Sequence, residues 1–342
     1  MGRACLVALL VVLAAAFAAP ADAQQKTVVK VGVPGRADQY NFEIAYRRGY
    51  FAEQGIEVQT VQANSAQEFV AALASNQIQV ASGALSAGVF NALNLGFQIK
   101  FVGDWAHLRD VAGPSDSVAI VARADLYDSG QLRSLADLKG RTIAAGPSPA
   151  MYPDVLNQKI FALAKLAPSD VTVRYLAFAD SLAAMAGKQI DAAFMVEPLI
   201  TTGNTKNIAR VLERASAIDP GGQLAVLMYS AEFATKQKDV ATKFMAGFLR
   251  GVRDYYAAFY EGKGKDEVIK LLVEHLPVKD PQLWADSTPG TADLNGRINV
   301  ASLKSQAAFF KQQGTITGPV PDIDKFVDMQ FAEGAVKIIG AR

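Results

Sequence analysis

One pattern occurs twice in this chain, as AALASNQIQVAS at 71–82 and as AAMAGKQIDAAF at 183–194. Each copy reads as the end of an amphipathic helix, a polar turn and a short buried strand, so one supersecondary design is built twice. A chain made this way folds into two similar α/β lobes. Between such lobes lies a cleft where strand ends and helix N-termini converge, and small ligands settle there.

The duplication extends outward. A β-branched run at 28–33 breaks at Pro34 and Gly35 before the helical pattern Phe42, Ala45, Tyr46 and Gly49, and the run at 141–145 breaks at Gly146 and Pro147 before Val155, Leu156, Ile160 and Leu163. Second strands follow at 56–61 and 171–176, each leading into a helix that ends in the repeated pattern. Both halves read strand, helix, strand, helix, strand, which predicts right-handed crossovers and largely parallel sheets. Two further alternating runs, 117–122 and 224–229, flank the second half where hinge strands joining two lobes belong. The expected division is one discontinuous lobe of 24–116 plus 229–342 and a second of 117–228. From residue 230 onward the pattern is helical: Val240, Phe244, Phe248, Val252, Tyr255 and Phe259 share one helical face. Helices at 266–275, 301–312 and 324–337 complete a tail expected to pack mainly on the first lobe.

Arg3, the apolar run 6–19 and the small-x-small site Ala21, Asp22, Ala23 predict a secretory signal peptide at 1–23, cut after Ala23. The apolar run is shorter than the about 20 residues that span a bilayer. The single cysteine, Cys5, falls inside that segment, so the mature chain offers no disulfide, thiolate metal site or cysteine nucleophile. A net charge of +1 argues against nucleic acid or a membrane surface as partner. His107 and His275 are the only histidines and belong to no set with metal-ligand spacing. Ser148 sits between Pro147 and Pro149, which is not a nucleophile elbow. Neither catalytic residues nor a metal or cofactor are expected.

The stretches AYRRGYFAEQGIEV (45–58), the first repeat copy and GKQIDAAFMVEP (187–198) resemble the solute-binding proteins of ABC transporters of the nitrate, sulfonate and taurine type, which are related to thiamine-precursor-binding proteins. The chain departs from that family at Asn76 and Gln79, where Gly and Asp are usual; Gln79 reads as a structural turn position. The resemblance implies a bilobal type II periplasmic binding fold: a periplasmic receptor, monomeric as is usual there, that closes on a small solute and presents it to an inner-membrane permease. The pyrimidine-forming enzymes related to this family rely on histidine and cysteine that the mature chain lacks.

In such a cleft the ligand meets loops at strand ends, here 34–40, 64–65, 82–84, 146–152, 178–180 and 197–198. The candidate ligand-binding residues are therefore Arg36, Asp38, Tyr40, Asn64, Ser65, Ser82, Gly83, Ala84, Trp105, Ser148, Met151, Tyr152, Phe178, Asp180 and Glu197. Arg36 would pair with a carboxylate or sulfonate, or else with Asp38 on the rim, an exchange worth only about 0–1 kcal/mol. Tyr40 and Tyr152 would stack on a planar ligand or cap the core. Glu197 would accept a hydrogen bond from the ligand or fix a hinge loop. Trp105, with Asp104 and His107 after the strand 100–103, would wall the site or serve as packing. Arg36 and the glycine-rich helix starts point to an anion, a sulfonate or an aromatic or aliphatic carboxylate. Sequence leaves open a periplasmic sensor that hands its closed form to a receptor kinase.

Overall fold

A computed structural model describes residues 26–33, 39–62, 66–110 and 116–342. The expected signal peptide and Arg36, Asp38, Asn64 and Ser65 lie outside these residues.

The strands are β1 (Thr27–Val33), β2 (Ile56–Gln62), β3 (Val80–Ala84), β4 (Ile99–His107), β5 (Val118–Arg123), β6 (Thr142–Ala144), β7 (Thr172–Arg174), β8 (Ala192–Val196), β9 (Ala209–Arg214) and β10 (Gln223–Ser230). They form two five-stranded sheets with orders β2-β1-β3-β10-β4 and β7-β6-β8-β5-β9. Each sheet is the other's topological copy: second strand, first strand, third strand, then one antiparallel strand, then an outer strand.

The repeated pattern is explained by what its turn must do. Asn76 and Lys188, at equivalent positions, both take left-handed backbone angles (φ 53° and 57°), a conformation that asparagine tolerates better than most residues. Three residues on, the Gln79 and Asp191 backbone N–H groups donate to the carbonyls of Lys30 and Thr142. Their side-chain oxygens accept in return from the N–H groups of the same two residues, each at 2.9 Å. Gln79 thus performs in the first sheet the pinning that Asp191 performs in the second, which accounts for the departure from aspartate there.

The antiparallel strands are the two runs expected at the crossings. β5 lies in the second sheet, but β10 pairs along its whole length with β3 and β4 of the first, so the chain returns to the first sheet before residue 223 rather than at 229. An alternating pattern specifies a strand, whereas its partners are set by long-range pairing. β4 also runs on to His107, which places Trp105 within a strand instead of after one.

The helix Lys238–Tyr260 buries Phe244, Phe248, Val252 and Tyr255 as its period requires. It packs on Tyr40–Arg47 and Gln330–Ile339 beside the first sheet, and each such aromatic stabilises the core by roughly 1.5–3 kcal/mol. Two tail helices also touch the second half: Val300–Gln312 reaches Tyr152–Ala164, and Pro281–Asp286, absent from the pattern reading, reaches Leu199–Thr205. The helix expected at 324–337 starts only at Gln330, after a short turn at Ile323–Lys325. Among the described residues no helix is long and apolar enough to cross a membrane.

Candidate functional site

The facing ends of the two sheets enclose a cavity of about 430 Å³. Its walls follow from the topology. The end of β3 supplies Ser82, Gly83 and Ala84, and because β10 runs antiparallel its beginning, Leu224 and Ala225, lies beside them, with Ala225 opposite Ala84. The second sheet repeats this: Val196 ends β8 opposite Val118 at the start of β5, and both line the cavity. The strand-end loop 147–151 and Phe178 add to this side.

Of the expected site residues, Tyr40, Ser82, Gly83, Ala84, Trp105, Ser148, Met151, Tyr152, Phe178 and Glu197 line the cavity. Asp180 does not. It is exposed two positions after Phe178 on the helix Phe178–Ala186, where the helical period turns it away from the face that Phe178 presents. Pattern reading missed Tyr255, Phe259, Trp284, Thr288 and Gly290, which the tail brings over the opening. An aromatic stripe on a long helix reads as core, and Tyr255 is core and wall at once.

Among the described residues the lining carries nine aromatic side chains, counting Phe69 and Phe194 with those already named, and one charged group, the Glu197 carboxylate. No lysine or arginine among the described residues lines it. Tyr40 stacks on Tyr255 with ring centroids 4.1 Å apart and planes at 17°, and Tyr255 leans on Phe259 at 4.6 Å. Trp105 is only 5% exposed and stacks on Phe248 at 5.3 Å, so it is largely packing that offers a small part of its surface to the cavity.

Glu197 Oε2 accepts from the Thr201 N–H at 3.0 Å, and Oε1 accepts from the Thr201 hydroxyl at 3.1 Å and the Thr288 N–H at 3.3 Å. Burial raises its pKa above the ordinary carboxylate value, against the opposing pull of these hydrogen bonds and of the Arg214 charge. The Thr288 bond joins a residue following β8 to the tail. On another side, the Ala87 N–H donates to the Ala150 carbonyl at 3.0 Å and Ser86 bridges Met151. The two halves therefore touch on both sides of the cavity.

Tyr152 is buried, and its hydroxyl donates to Asp219 Oδ2 at 2.6 Å while Lys159 Nζ holds Oδ1 at 2.5 Å. Burial, then the Asp219 charge, pushes the phenol well above its ordinary pKa, keeping it a donor. Asp219 begins the short segment that returns to β10, so the cavity wall is fastened to a crossing between the sheets. Gly222 in that segment has no room for a side chain: a Cβ would lie 2.1 Å from the Tyr152 hydroxyl and 2.8 Å from Asp219 Oδ2. Gly222→Ala is expected to cost about 1–3 kcal/mol. In a double-mutant cycle by denaturant unfolding, Tyr152→Phe should relieve part of that cost; strictly additive effects would contradict the contact.

An NMT1/THI5-like family model matches residues 38–258. Among solved structures, the alkanesulfonate-binding protein SsuA from Xanthomonas axonopodis pv. citri, bound to MOPS, aligns with a TM-score of 0.67 at 19% identity, covering 89% of this chain and 99% of that one. The periplasmic aliphatic sulphonate binding protein SsuA from Escherichia coli gives 0.69 at 17%, covering 88% and 97%. The periplasmic nitrate-binding protein NrtA from Synechocystis PCC 6803 gives 0.70 at 12%, covering 93% and 90%. No curated protein sequence matches the chain. At these identities the likeness is one of fold, the bilobal periplasmic-binding architecture.

Proposed function

The chain belongs to the NMT1/THI5-like family, and we propose that it is the solute-binding component of an ABC importer, closing on a small organic ligand and delivering it to an inner-membrane permease. The observation that carries this reading is the cavity of about 430 Å³ at the strand ends of both sheets, with walls from both halves of the chain. That volume falls within the usual range for small-molecule sites. A ligand touching both halves stabilises the touching state over an open one, and a permease that reads that state discriminates loaded from empty receptor. An acidic group on the ligand fits the sulfonate and nitrate binders of the same fold. Arg36, outside the described residues, is the cation that the sequence offers to such a group. Export through a signal peptide cleaved after Ala23 belongs to this reading, and the mass of the secreted chain checks it.

Thermal unfolding of residues 24–342 against sulfonates, aromatic and aliphatic carboxylates, nitrate, pyrimidines and amines tests the proposal. A ligand at 100 times its Kd adds about 2.7 kcal/mol, a melting shift of several degrees. No shift from any class, in protein shown by mass spectrometry to carry no bound solute, would overturn it.

A further inference from the structure

We propose that the ligand has an aromatic ring bearing an N–H or O–H donor, and that Glu197 is the residue that selects for this donor. The inference rests on reading the cavity as the solute site. Its walls include the half-buried rings of Tyr40, Phe178 and Phe259, backed by Tyr255 and Trp284, which are each about 5% exposed. Such walls accept a planar apolar body through offset or edge-to-face contacts. An aliphatic anion of a few atoms would leave much of this surface without a partner.

Glu197 supplies the polar selection. Its carboxylate has about four acceptor positions, and three donors occupy them: two on Oε1 and one on Oε2. One Oε2 position is left, on a residue that lines the cavity. The rest of the described lining offers hydroxyls and backbone but no other charged group, so a donor on the ligand finds its strongest acceptor at Glu197. A ligand acceptor placed there would meet like charge. Burial, which raises the pKa of Glu197, makes a donor partner more valuable to the ionised form.

The test compares sulfanilate and its ortho and meta isomers with benzenesulfonate, and the aminobenzoates and hydroxybenzoates with benzoate, by calorimetric titration of residues 24–342. Methanesulfonate, taurine and nitrate form a separate arm. At least one amino or hydroxy isomer is expected to bind about tenfold more tightly than its unsubstituted parent, the scale of one charge-assisted hydrogen bond. In Glu197→Gln, whose folding is checked by its ligand-free melting curve, that preference should shrink to about twofold or reverse. The comparison within the wild type stands even if the variant misfolds. Equal affinity for parents and donor-bearing isomers overturns the inference, as does a preference unchanged in a folded Glu197→Gln. Binding confined to the aliphatic and nitrate arm overturns it while leaving the importer reading standing. If no compound in either arm binds, the inference falls, and the wider melting panel, with its pyrimidines, amines and aliphatic carboxylates, decides the importer reading separately.

Discussion

Asp104→Ala is expected to destabilise the fold by about 3–5 kcal/mol, the cost of removing one partner from a buried charged network. The Asp104 carboxylate is fully buried. It holds His107 Nδ1 at 2.6 Å, the Gln223 side-chain amide at 2.6 Å and the Asp293 N–H at 2.7 Å. It thus ties β4 to the start of β10 and to the tail, directly behind the cavity wall formed by Trp105 and Ala225. Its loss takes an acceptor from three donors, of which the Gln223 amide keeps the Ala106 and Ala225 carbonyls at 3.1 and 2.9 Å. Burial opposes a charge on His107, but the hydrogen bond and charge of Asp104, with Asp110 and Asp293 beyond, outweigh it and raise the pKa. A raised folded-state value means that this stabilisation is fully present below the ordinary value of about 6.5 and is lost as pH rises through the folded value. Denaturant unfolding on both sides of neutrality should show this loss in the wild type. In Asp104→Ala, where burial acts on the imidazole against only the Asp110 and Asp293 charges, it should shrink, vanish or change sign. A loss of stability under 1 kcal/mol, or an unchanged pH profile, would contradict the network.

Gly251→Ala should cost about 3 kcal/mol, at the upper end of overpacking effects. Gly251 lies where Lys238–Tyr260 crosses Tyr40–Arg47. A Cβ there would meet the Asn41 carbonyl oxygen at 2.3 Å, the Ala45 Cβ at 2.8 Å and the Ala45 nitrogen at 2.9 Å. Two of these are backbone atoms of the facing helix, so no rotamer change relieves the clash and the helices must separate. The displaced helix begins at Tyr40, whose ring stacks on Tyr255 in the cavity wall, so ligand binding should weaken along with stability. A melting point within about 1 °C of wild type, given roughly 2–4 °C per kcal/mol for chains of somewhat smaller size, would show that the crossing yields.

Much of the architecture was legible because it is dictated locally. The β-branched runs at 28–33 and 56–61 became β1 and β2, and the repeated pattern became two copies of one turn, with Asn76 matching Lys188 and Gln79 matching Asp191. Glu197 was legible as a loop residue at a strand end. What long-range pairing decides was not legible. The pattern of β10 says strand without saying which sheet, yet that pairing places Leu224 and Ala225 in the wall. Tyr255 and Phe259 could not be told from core residues by period alone, and Trp284 and Thr288 reach the cavity only because the tail folds back over it. The sequence therefore shows part of the site's aromatic character, at Tyr40, Trp105, Tyr152 and Phe178, and the rest emerges only once the chain is folded.

The central claim is that the cavity between the sheets holds the solute, and Ala84→Trp tests it most directly by placing an indole into that space from the end of β3. Thermal unfolding of the wild type and this variant, each against the panel of sulfonates, carboxylates, nitrate, pyrimidines and amines, should give a shift of several degrees in the wild type with at least one class and none in Ala84→Trp. A shift of equal size in both proteins would place binding elsewhere and contradict the account.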